Sequence, residues 1–309
     1  MINGIINIYK EKGFTSRDAV NKLCGIIHQK KAGHTGTLDP MAEGVLPICL
    51  GNATKLCDLL TNHDKIYKAV IKLGVATDTE DVTGNVINTT DWSGERLAEI
   101  FNNGEFSDTV KSFIGDYDQI PPMYSAKKIN GKKLYELARE GITVERKPNH
   151  VIIYDIVIDN VNQENNTAEL TVHCGKGTYI RSLCRDIGEK LGCYACMAEL
   201  TRVKVGTFNI SQAYKLSEVE RAVKENKLSE LITTVPDLFP DYRKYSVSGH
   251  DELLLKNGGV IDFNTDNVFY GNKDRPTKND LFLMYDSLKH FYAIYKYDGM
   301  KLRVEKYFG

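Results

Sequence analysis

The sequence predicts an α+β fold with a small β-rich domain at its C-terminal end. Strand and helix patterns follow one another along the chain without the regular βαβ alternation that is typical of doubly wound proteins. Past Pro236 the pattern becomes β-type alternation, and residues 239–309 hold 14 of the chain's 29 aromatic side chains. These observations predict a larger α+β domain over residues 1–235 and a small all-β domain over residues 236–309.

The first elements follow from the spacing of apolar side chains. Ser16 and Asn52 each precede apolar residues at helical spacing, so each is expected to be the N-cap of a helix. In residues 67–73 every second residue is apolar, which predicts a strand with the ring of the first residue, Tyr67, on its inward face. Further strands are predicted over residues 4–9 and 45–50, the second of them buried.

The middle of the chain continues this mixture. Ser93 is expected to begin a helix, and residues 151–158 and 167–174 are expected to form adjacent strands. Apolar side chains at helical spacing predict an amphipathic helix over residues 180–191.

Residues 119–147 have the composition of an inserted basic segment. They contain two adjacent prolines, are expected to turn at Asn130-Gly131, and hold seven Lys or Arg within 127–147 against three Glu. Tyr124 and Tyr135 interleave with these charges. This combination suits RNA, because lysines meet phosphates and rings stack on unpaired bases. A surface hairpin and helix without a nucleic-acid partner would have the same composition.

The composition is that of a soluble globular protein of the cytoplasm. Of 309 residues, 42% are hydrophobic and 26% are charged, and no apolar run approaches the roughly 18 residues of a membrane span. The N-terminus lacks the pattern of a signal peptide. Seven cysteines, an odd number, favour reduced thiols, and Cys193-x-x-Cys196 lacks the companions of a zinc site, which favours a structural pair. We therefore expect no membrane partner and no metal.

Charge is distributed unevenly, although the net charge is only −1. Residues 1–35 hold six Lys or Arg against two acids, whereas residues 78–118 hold ten acids against two basic side chains. Such a chain can present one basic face to a phosphate backbone while it stays neutral overall. Charge runs are also common on solvated faces that bind nothing, so this pattern alone leaves both interpretations open.

The clearest chemical pattern is the run from Gly33 to Pro40, Gly-His-Thr-Gly-Thr-Leu-Asp-Pro. Pro40 biases Asp39 away from the helical conformation, and the two glycines allow close backbone approaches. The pattern predicts a carboxylate on a rigid loop beside the buried strand 45–50. The alternatives are an Asx turn, in which Asp39 bonds its own backbone, and a hydrolase-type carboxylate pair with Glu43.

The run from Gly33 through Lys55 closely resembles the signature of the bacterial tRNA pseudouridine synthase B family, and the resemblance covers most of residues 1–235. It implies a catalytic domain of pseudouridine-synthase type with a mixed, mainly antiparallel sheet. It also implies a monomeric enzyme that isomerises the uridine at position 55 in the T loop of tRNA without a cofactor. Residues 119–147 then correspond to a mobile thumb that clasps the T arm, and Leu255-Lys256-Asn257-Gly258 resembles the start of an RNA-binding PUA domain.

The resemblance also implies roles for individual residues. Asp39 is the expected nucleophile or base, Arg181 its positive partner, and Tyr67 the ring that stacks on the flipped uracil or mediates proton transfer. Without the resemblance, Arg181 would be an ordinary helix-surface arginine and Tyr67 a core residue. Glu11 stands where the family's first motif usually has a proline, which leaves the rigidity of that segment open. The residues expected to contact the substrate are His34, Lys10, Tyr179, Leu200, Lys132 and Lys133.

Two other function classes stay open from the residues alone. A hydrolase would release free uracil, whereas a synthase keeps the base attached to the RNA. A non-catalytic RNA-binding or RNA-folding protein would depend on the basic segments and the C-terminal domain, and none of its activities would need Asp39. An RNA-folding role is also compatible with a synthase.

Overall fold

The structure is a computed structural model that describes residues 2–129 and 131–309. The predicted turn at Asn130-Gly131 therefore lies partly outside the described residues. In the first 235 residues the strands are β1 (Gly4–Lys10), β2 (Ala32–His34), β3 (Glu43–Leu50), β4 (Lys65–Leu73), β5 (Val75–Thr77), β6 (Val86–Thr89), β7 (Gly115–Gln119), β8 (Lys128–Ile129), β9 (Lys132–Lys133), β10 (Asn149–Asn162), β11 (Thr167–Cys174), β12 (Ala195–Val205), β13 (Phe208–Asn209) and β14 (Ile232–Thr233). The α-helices of this part are α1 (Ser16–Ile26), α2 (Cys57–Thr61), α3 (Gly94–Asn102), α4 (Glu105–Lys111), α5 (Leu134–Arg139), α6 (Ile180–Leu191) and α7 (Leu216–Lys224).

One large sheet organises this part of the molecule, with the strand order β14-β1-β3-β12-β4-β11-β10-β7. Strand β2 pairs with β3, and β13 pairs with β12. Neighbouring strands are antiparallel except β3 and β12, which run parallel through only two residue pairs, Thr201 with Glu43 and Arg202 with Gly44. The predicted α+β class and the mainly antiparallel sheet are confirmed.

Gly44 explains why β3 and β12 can meet at that point. A Cβ on Gly44 would lie 2.3 Å from the carbonyl oxygen of Arg202, and the glycine has φ +103°. Only glycine combines this conformation with so close an approach of two backbones. The sheet therefore brings Arg202 against the start of β3, immediately after the loop that carries Asp39.

Two of the hydrophobic clusters pack helices against the sheet. Helices α3, α4 and α6 pack on the inward side chains of β4, β10 and β11, where Tyr67, Ile71, Ile153 and Leu170 are buried. Helices α1 and α7 pack on β1 and β3. Residues 67–73 alternate as predicted, so Tyr67 points inward.

Two predicted helix starts are wrong. Thr15, not Ser16, is the N-cap of α1: its hydroxyl accepts a hydrogen bond from the Asp18 amide at 3.1 Å, and Asp18 accepts one from the Thr15 amide at 3.0 Å. Asn52 lies within the 3₁₀ helix Gly51–Leu56 and donates to the carbonyl of Phe308 at 2.8 Å, while α2 begins only at Cys57. Ser16 and Asn52 each form a hydrogen bond with a residue distant in the chain instead of capping a helix. Ser93 does cap α3, as predicted.

The C-terminal part forms a second sheet with the strand order β16-β20-β19-β18-β15-β17. It is β-rich but not all-β as expected, because residues 249–256 form a helix that ends at the predicted Asn257-Gly258-Gly259 turn. Its apolar side chains also join a cluster with the first sheet, in which Leu60 and Val205 accompany Leu283 and Phe308. The elements are β15 (Arg243–Ser246), α8 (Gly249–Lys256), β16 (Ile261–Asp262), β17 (Val268–Tyr270), β18 (Leu281–Tyr285), β19 (Phe291–Tyr297) and β20 (Lys301–Tyr307).

The basic segment leaves the large sheet at one point and returns beside it. Gln119 at the end of β7 pairs with Asn149 at the start of β10. Between them stand the short β8–β9 hairpin and α5. We call residues 119–147 the thumb.

Within residues 2–129 and 131–309, no helix is long and apolar enough to cross a membrane.

Candidate active site

The loop that carries Asp39, residues 35–42, connects β2 to β3 and is tied down along its length. The Ser16 hydroxyl accepts from the Leu38 amide at 2.8 Å and donates to the Leu38 carbonyl at 3.1 Å. The Gly13 amide donates to the Pro40 carbonyl at 2.9 Å. The carboxylate is thus presented from a loop whose backbone is held by α1 and by the segment before it, as the glycine and proline pattern predicted.

The Asp39 carboxylate faces Arg181, which stands in the first turn of α6. Asp39 Oδ2 lies 2.8 Å from Arg181 Nε; the Asp39 side chain is 37% exposed, whereas that of Arg181 is only 5% exposed. The Asx-turn interpretation is therefore wrong for this side chain. Arg181 is itself fixed, because its two terminal nitrogens donate to the carbonyls of Thr79 and Tyr124, each at 2.9 Å. Asp81 Oδ2 lies 4.0 Å from the same Nε.

A cavity of about 370 Å³ opens beside this ion pair. Its size is within the range of small-molecule and nucleobase pockets. Four of the residues singled out from the sequence line it together with Asp39, namely Tyr67, Tyr179, Arg181 and Leu200. The structure therefore brings residues from β4, α6, β12 and the Asp39 loop to one place.

The aromatic and apolar walls of the cavity are buried. Tyr67 is 7% exposed and Leu200 is 6% exposed. Burial raises the pKa of the Tyr67 hydroxyl, against the opposing effect of the neighbouring Arg202. Burial likewise raises the pKa of Tyr179. Both phenols are therefore neutral at neutral pH and can donate a proton or a hydrogen bond.

His34 and Lys10 do not line this cavity. His34 ends β2, and its Nδ1 accepts from the Gly36 amide at 3.3 Å. Burial lowers the pKa of His34, and Arg202 and Arg17 lower it further, so the ring is neutral at neutral pH. Lys10 is 1% exposed and its Nζ donates to the Phe14 carbonyl at 2.7 Å. Lys10 Nζ also lies 3.4 Å from the Pro40 carbonyl, so the structure places it behind the Asp39 loop, and its contact with substrate stays a prediction.

The thumb lysines lie on the β8–β9 hairpin and are not among the cavity residues. Lys132 is exposed and forms a 3.5 Å ion pair with Glu140, which is also solvent-accessible. Lys133 lies over the Tyr135 ring, 5.2 Å from its centroid. Lys132 faces solvent and Lys133 is half-buried, whereas Arg181, Lys65 and Arg202 at the cavity are buried.

Sequence reasoning missed three residues of the site. Arg202 and Lys65 both line the cavity, and buried Gln119 bonds the backbone of Tyr179 through both of its side-chain amide atoms. Lys65 precedes Tyr67 by two residues, so the strand alternation already placed the two side chains on one face. No local signal distinguishes Gln119, because its partner is distant in the chain.

Glu43, the other acid considered in a hydrolase pair, is placed elsewhere. It begins β3 and accepts from the Thr201 hydroxyl at 3.5 Å. It is not among the residues that line the cavity with Asp39.

No group of three His, Cys, Asp or Glu side chains with the spacing of a metal site occurs in the described part of the chain. All seven cysteines are free thiols. Burial raises the pKa of Cys193 and of Cys196 to about 11, so both are protonated at neutral pH.

Comparison with known families and proteins supports the resemblance found in the sequence. The N-terminal domain of the TruB family of pseudouridylate synthases matches residues 25–180. The tRNA pseudouridylate synthase B C-terminal domain matches residues 181–238.

Curated relatives match over nearly the whole chain. The tRNA pseudouridine synthase B of Lachnoclostridium phytofermentans is 48% identical over 306 residues, which cover 97% of each chain. That of Ligilactobacillus salivarius is 42% identical and covers 98% of this chain and 97% of its own.

Solved structures share the fold. A Cbf5-Nop10-Gar1 complex matches with a TM-score of 0.68 at 24% identity, and covers 99% of this chain and 85% of the other. An H/ACA RNP bound to a substrate RNA that contains 2'-deoxyuridine matches with a TM-score of 0.67 at 22% identity and the same coverage. Together with the family matches and the arrangement of Asp39, Arg181, Tyr67 and Leu200, these findings show that the chain belongs to the TruB family of pseudouridylate synthases.

Proposed function

We propose that this protein isomerises the uridine at position 55 in the T loop of tRNA to pseudouridine. The observation that carries the proposal is the Asp39–Arg181 pair, 2.8 Å apart, at a cavity walled by Tyr67 and Leu200. The relatives that are named tRNA pseudouridine synthase B, at 48% and 42% identity, support tRNA as the substrate.

Asp39 starts the chemistry, either as a nucleophile or as a base. The C1'–N1 bond of the uridine breaks and its electron pair moves onto the uracil. Carbon C1' receives a replacement pair, either from an Asp39 oxygen or from the C2'–H bond, whose proton then passes to Asp39. The base turns and its C5 bonds to C1', which breaks the Asp39–C1' bond on the first route or, on the second, is accompanied by return of the proton from Asp39 to C2'. The C5 proton then leaves, and N1 takes up a proton. The sum is an isomerisation, which needs no cofactor.

Arg181 supports this chemistry by its fixed position. Its Nε faces Asp39 while two carbonyls occupy its other nitrogens, so the guanidinium cannot turn away from the carboxylate. A buried cation with a partner at each of its three nitrogens is a preorganised partner for a reacting anion. Because the Tyr124 carbonyl is one of the two acceptors, the base of the thumb also holds Arg181.

Tyr67 and Leu200 form the two sides of the slot for the base. A neutral phenol at Tyr67 can stack on the uracil and pass a proton, and Leu200 closes the opposite apolar wall. Tyr179 adds a hydroxyl beside them. We assign Asp39, Tyr67 and Arg181 as catalytic residues and Tyr179 and Leu200 as substrate contacts.

The uridine must leave its stack to reach this cavity, at a cost of a few kcal/mol. We assign His34 to stabilising the flipped state, because its neutral ring at the end of β2 can stack where a base has departed. Lys132 and Lys133 on the thumb bind phosphates of the T arm. We assign residues 1–235 to the catalytic domain and residues 236–309 to a PUA-like domain that adds RNA contacts, in a monomeric enzyme.

The decisive experiment uses unmodified tRNA transcript whose uracil carries tritium at C5. Wild-type protein should release tritium to water while the base stays attached to the RNA, and Asp39→Asn should release none. Free labelled uracil would establish a hydrolase instead. Tight tRNA binding without tritium release would indicate a non-catalytic RNA-binding protein.

A further inference from the structure

Two buried cations that line the cavity, Lys65 and Arg202, have no carboxylate partner among the residues that the structure describes. Lys65 on β4 is 7% exposed and Arg202 on β12 is 1% exposed, and both line the cavity. The two strands are neighbours, and Arg202 stands directly across from Tyr67 in the antiparallel pairing. Both side chains therefore lie beside the ring that is expected to stack on the uracil.

Gly36 marks the point at which the two cations meet. A Cβ at this position would lie 3.6 Å from Arg202 Nη1 and 3.9 Å from Lys65 Cε. Gly36 has φ +143° and belongs to the Asp39 loop, so the absent side chain leaves both cations next to the loop backbone. The three residues come from β4, β12 and the Asp39 loop.

Neither cation is neutralised within the described residues. Lys65 Nζ donates only to the carbonyls of Thr61 at 2.9 Å and His63, and neither Lys65 nor Arg202 has a carboxylate within 4.0 Å. Arg202 donates from Nε to the Val45 carbonyl at 2.8 Å and from Nη2 to the Gly36 carbonyl at 3.2 Å. Burying two like charges without an anion costs free energy, and negative charge that develops beside them offsets that cost.

The pKa of Lys65 reflects its burial beside another cation. Burial, together with repulsion by Arg202 and Lys176, lowers the pKa of Lys65 to about 8, while Cys174 and Asp64 oppose the shift. By contrast, Arg181, which also lines the cavity, is paired with Asp39. Lys65 and Arg202 thus give the cavity positive charge that no carboxylate among the described residues pairs with directly.

We propose that Lys65 and Arg202 form an anion site that stabilises the uracil as it separates from the ribose. This inference rests on the proposed isomerisation. When the C1'–N1 bond breaks, its electron pair is delocalised from N1 onto the carbonyl oxygens O2 and O4 of the uracil. Lys65 and Arg202 bind that negative charge, and they release it when C5 forms the new bond to C1'. Their effect is on the transition state, because the bound uridine is neutral before cleavage.

Arg202 also braces the Asp39 loop, so Lys65 is the better residue for a test. Lys65→Met keeps the volume of the side chain and removes its charge. Lys72→Met is the matched control, because Lys72 lies on the same strand and does not line the cavity. Lys65→Arg restores the charge. If Lys65→Met does not fold, Lys65→Gln removes the charge and keeps a donor for the Thr61 and His63 carbonyls.

The test compares single-turnover rates on tRNA transcripts that carry uridine or 5-fluorouridine, at saturating protein, measured as loss of the starting nucleoside after digestion. Fluorine stabilises the uracil anion by itself, so cleavage of 5-fluorouridine depends less on the protein's cations. Lys65→Met should slow the uridine reaction by about 100-fold, and the 5-fluorouridine reaction by at least several-fold less. Lys65→Arg should recover most of the uridine rate, and Lys72→Met should match wild type on both substrates.

Equal slowing of both substrates by Lys65→Met, or no slowing, would overturn the anion site, since a merely structural role has no reason to depend on the leaving group. RNA affinity and thermal stability of each variant are measured beside the rates. A wild-type protein that forms no pseudouridine would instead overturn the proposed function, so the two failures are distinguishable.

Discussion

The Asp39 loop and the thumb flank the same cavity but are held in opposite ways. The loop is bonded to α1 through Ser16 and to β12 through Arg202, and its Leu38 side chain is buried. The thumb is tied to the body at its base, where Gln119 bonds the backbone of Tyr179. Beyond that base, the Lys132–Glu140 pair is solvent-exposed, and such pairs contribute little to stability.

The difference indicates a division of labour. A reacting carboxylate must be positioned before the substrate arrives, because small displacements at the reacting atoms are costly in rate. A surface that clasps RNA gains from exposed cations that release counterions when they meet phosphates. We therefore expect changes in the loop to affect turnover and changes in the thumb to affect binding.

The largest effect is expected for Asp39→Asn. We expect turnover to fall by more than about 10³-fold, because the amide can neither attack carbon nor accept the ribose proton. Affinity for tRNA should stay within about threefold of wild type, since phosphate contacts elsewhere supply the binding. Single-turnover tritium release and filter binding measure the two quantities. A folded variant that no longer binds tRNA would contradict the division of labour.

Ser16→Ala should loosen the loop without touching the cavity. The substitution leaves the buried amide and carbonyl of Leu38 without their partner, so we expect a loss of about 2 kcal/mol in the free energy of unfolding. Turnover should fall while tRNA affinity holds. Urea denaturation measures stability, with Ser211→Ala as the control, because the Ser211 hydroxyl contacts only the exposed Asn209. Equal stability of the two variants would show that the loop is held by its other contacts.

Charge reversal on the thumb should lower tRNA affinity and leave turnover nearly unchanged, the opposite of what is expected for changes in the loop. Lys132→Glu with Lys133→Glu is expected to weaken tRNA binding by about 10-fold and to reduce its salt dependence, because two phosphate contacts are lost. The single-turnover rate at saturating protein should change little. The control is Lys224→Glu with Lys227→Glu, which alters the net charge equally in and just after α7. Unchanged tRNA affinity in the thumb variant would show that Lys132 and Lys133 do not contribute to tRNA binding.

The smallest expected effect is on the pH dependence of the free energy of unfolding. It acts through Lys10, which lies behind the Asp39 loop. Burial lowers the pKa of Lys10 from 10.5 to about 8, although Asp39 and Glu43 oppose the shift. Between these values the unfolded chain binds more protons than the folded one, so Lys10 makes the free energy of unfolding rise with pH. From pH 8 to 9.5 that rise should be smaller in Lys10→Met. Identical slopes in urea titrations of both proteins would show that Lys10 titrates normally.

Much of the architecture was predictable from local pattern. The alternation of residues 67–73 set the face of Tyr67, and the apolar spacing of residues 180–191 set helix α6, because strand and helix periods are properties of short segments. The glycine and proline pattern around Asp39 predicted its rigid loop for the same reason. The C-terminal helix α8 was missed, since aromatic alternation dominated the composition around it.

The N-cap residue of α1 could not be assigned from the local sequence pattern. Thr15 and Ser16 both carry a hydroxyl at the start of the helix, and sequence reasoning chose the second. Ser16 instead bonds Leu38 across 22 residues, so the distinction depends on a tertiary contact. A one-residue ambiguity of this kind cannot be resolved from propensity, because both residues are good caps.

The sequence by itself determined the family, the α+β class and the identity of Asp39 as the reacting carboxylate that we propose. Only the tertiary structure decided that Arg181 faces it at 2.8 Å and that Glu43 does not line its cavity. It also decided that Lys65 and Arg202 converge without a carboxylate partner in the described part of the chain. The reason is physical: strand periods and turn conformations are set by neighbouring residues. The charge around a cavity, by contrast, depends on which distant strands pair and in which register.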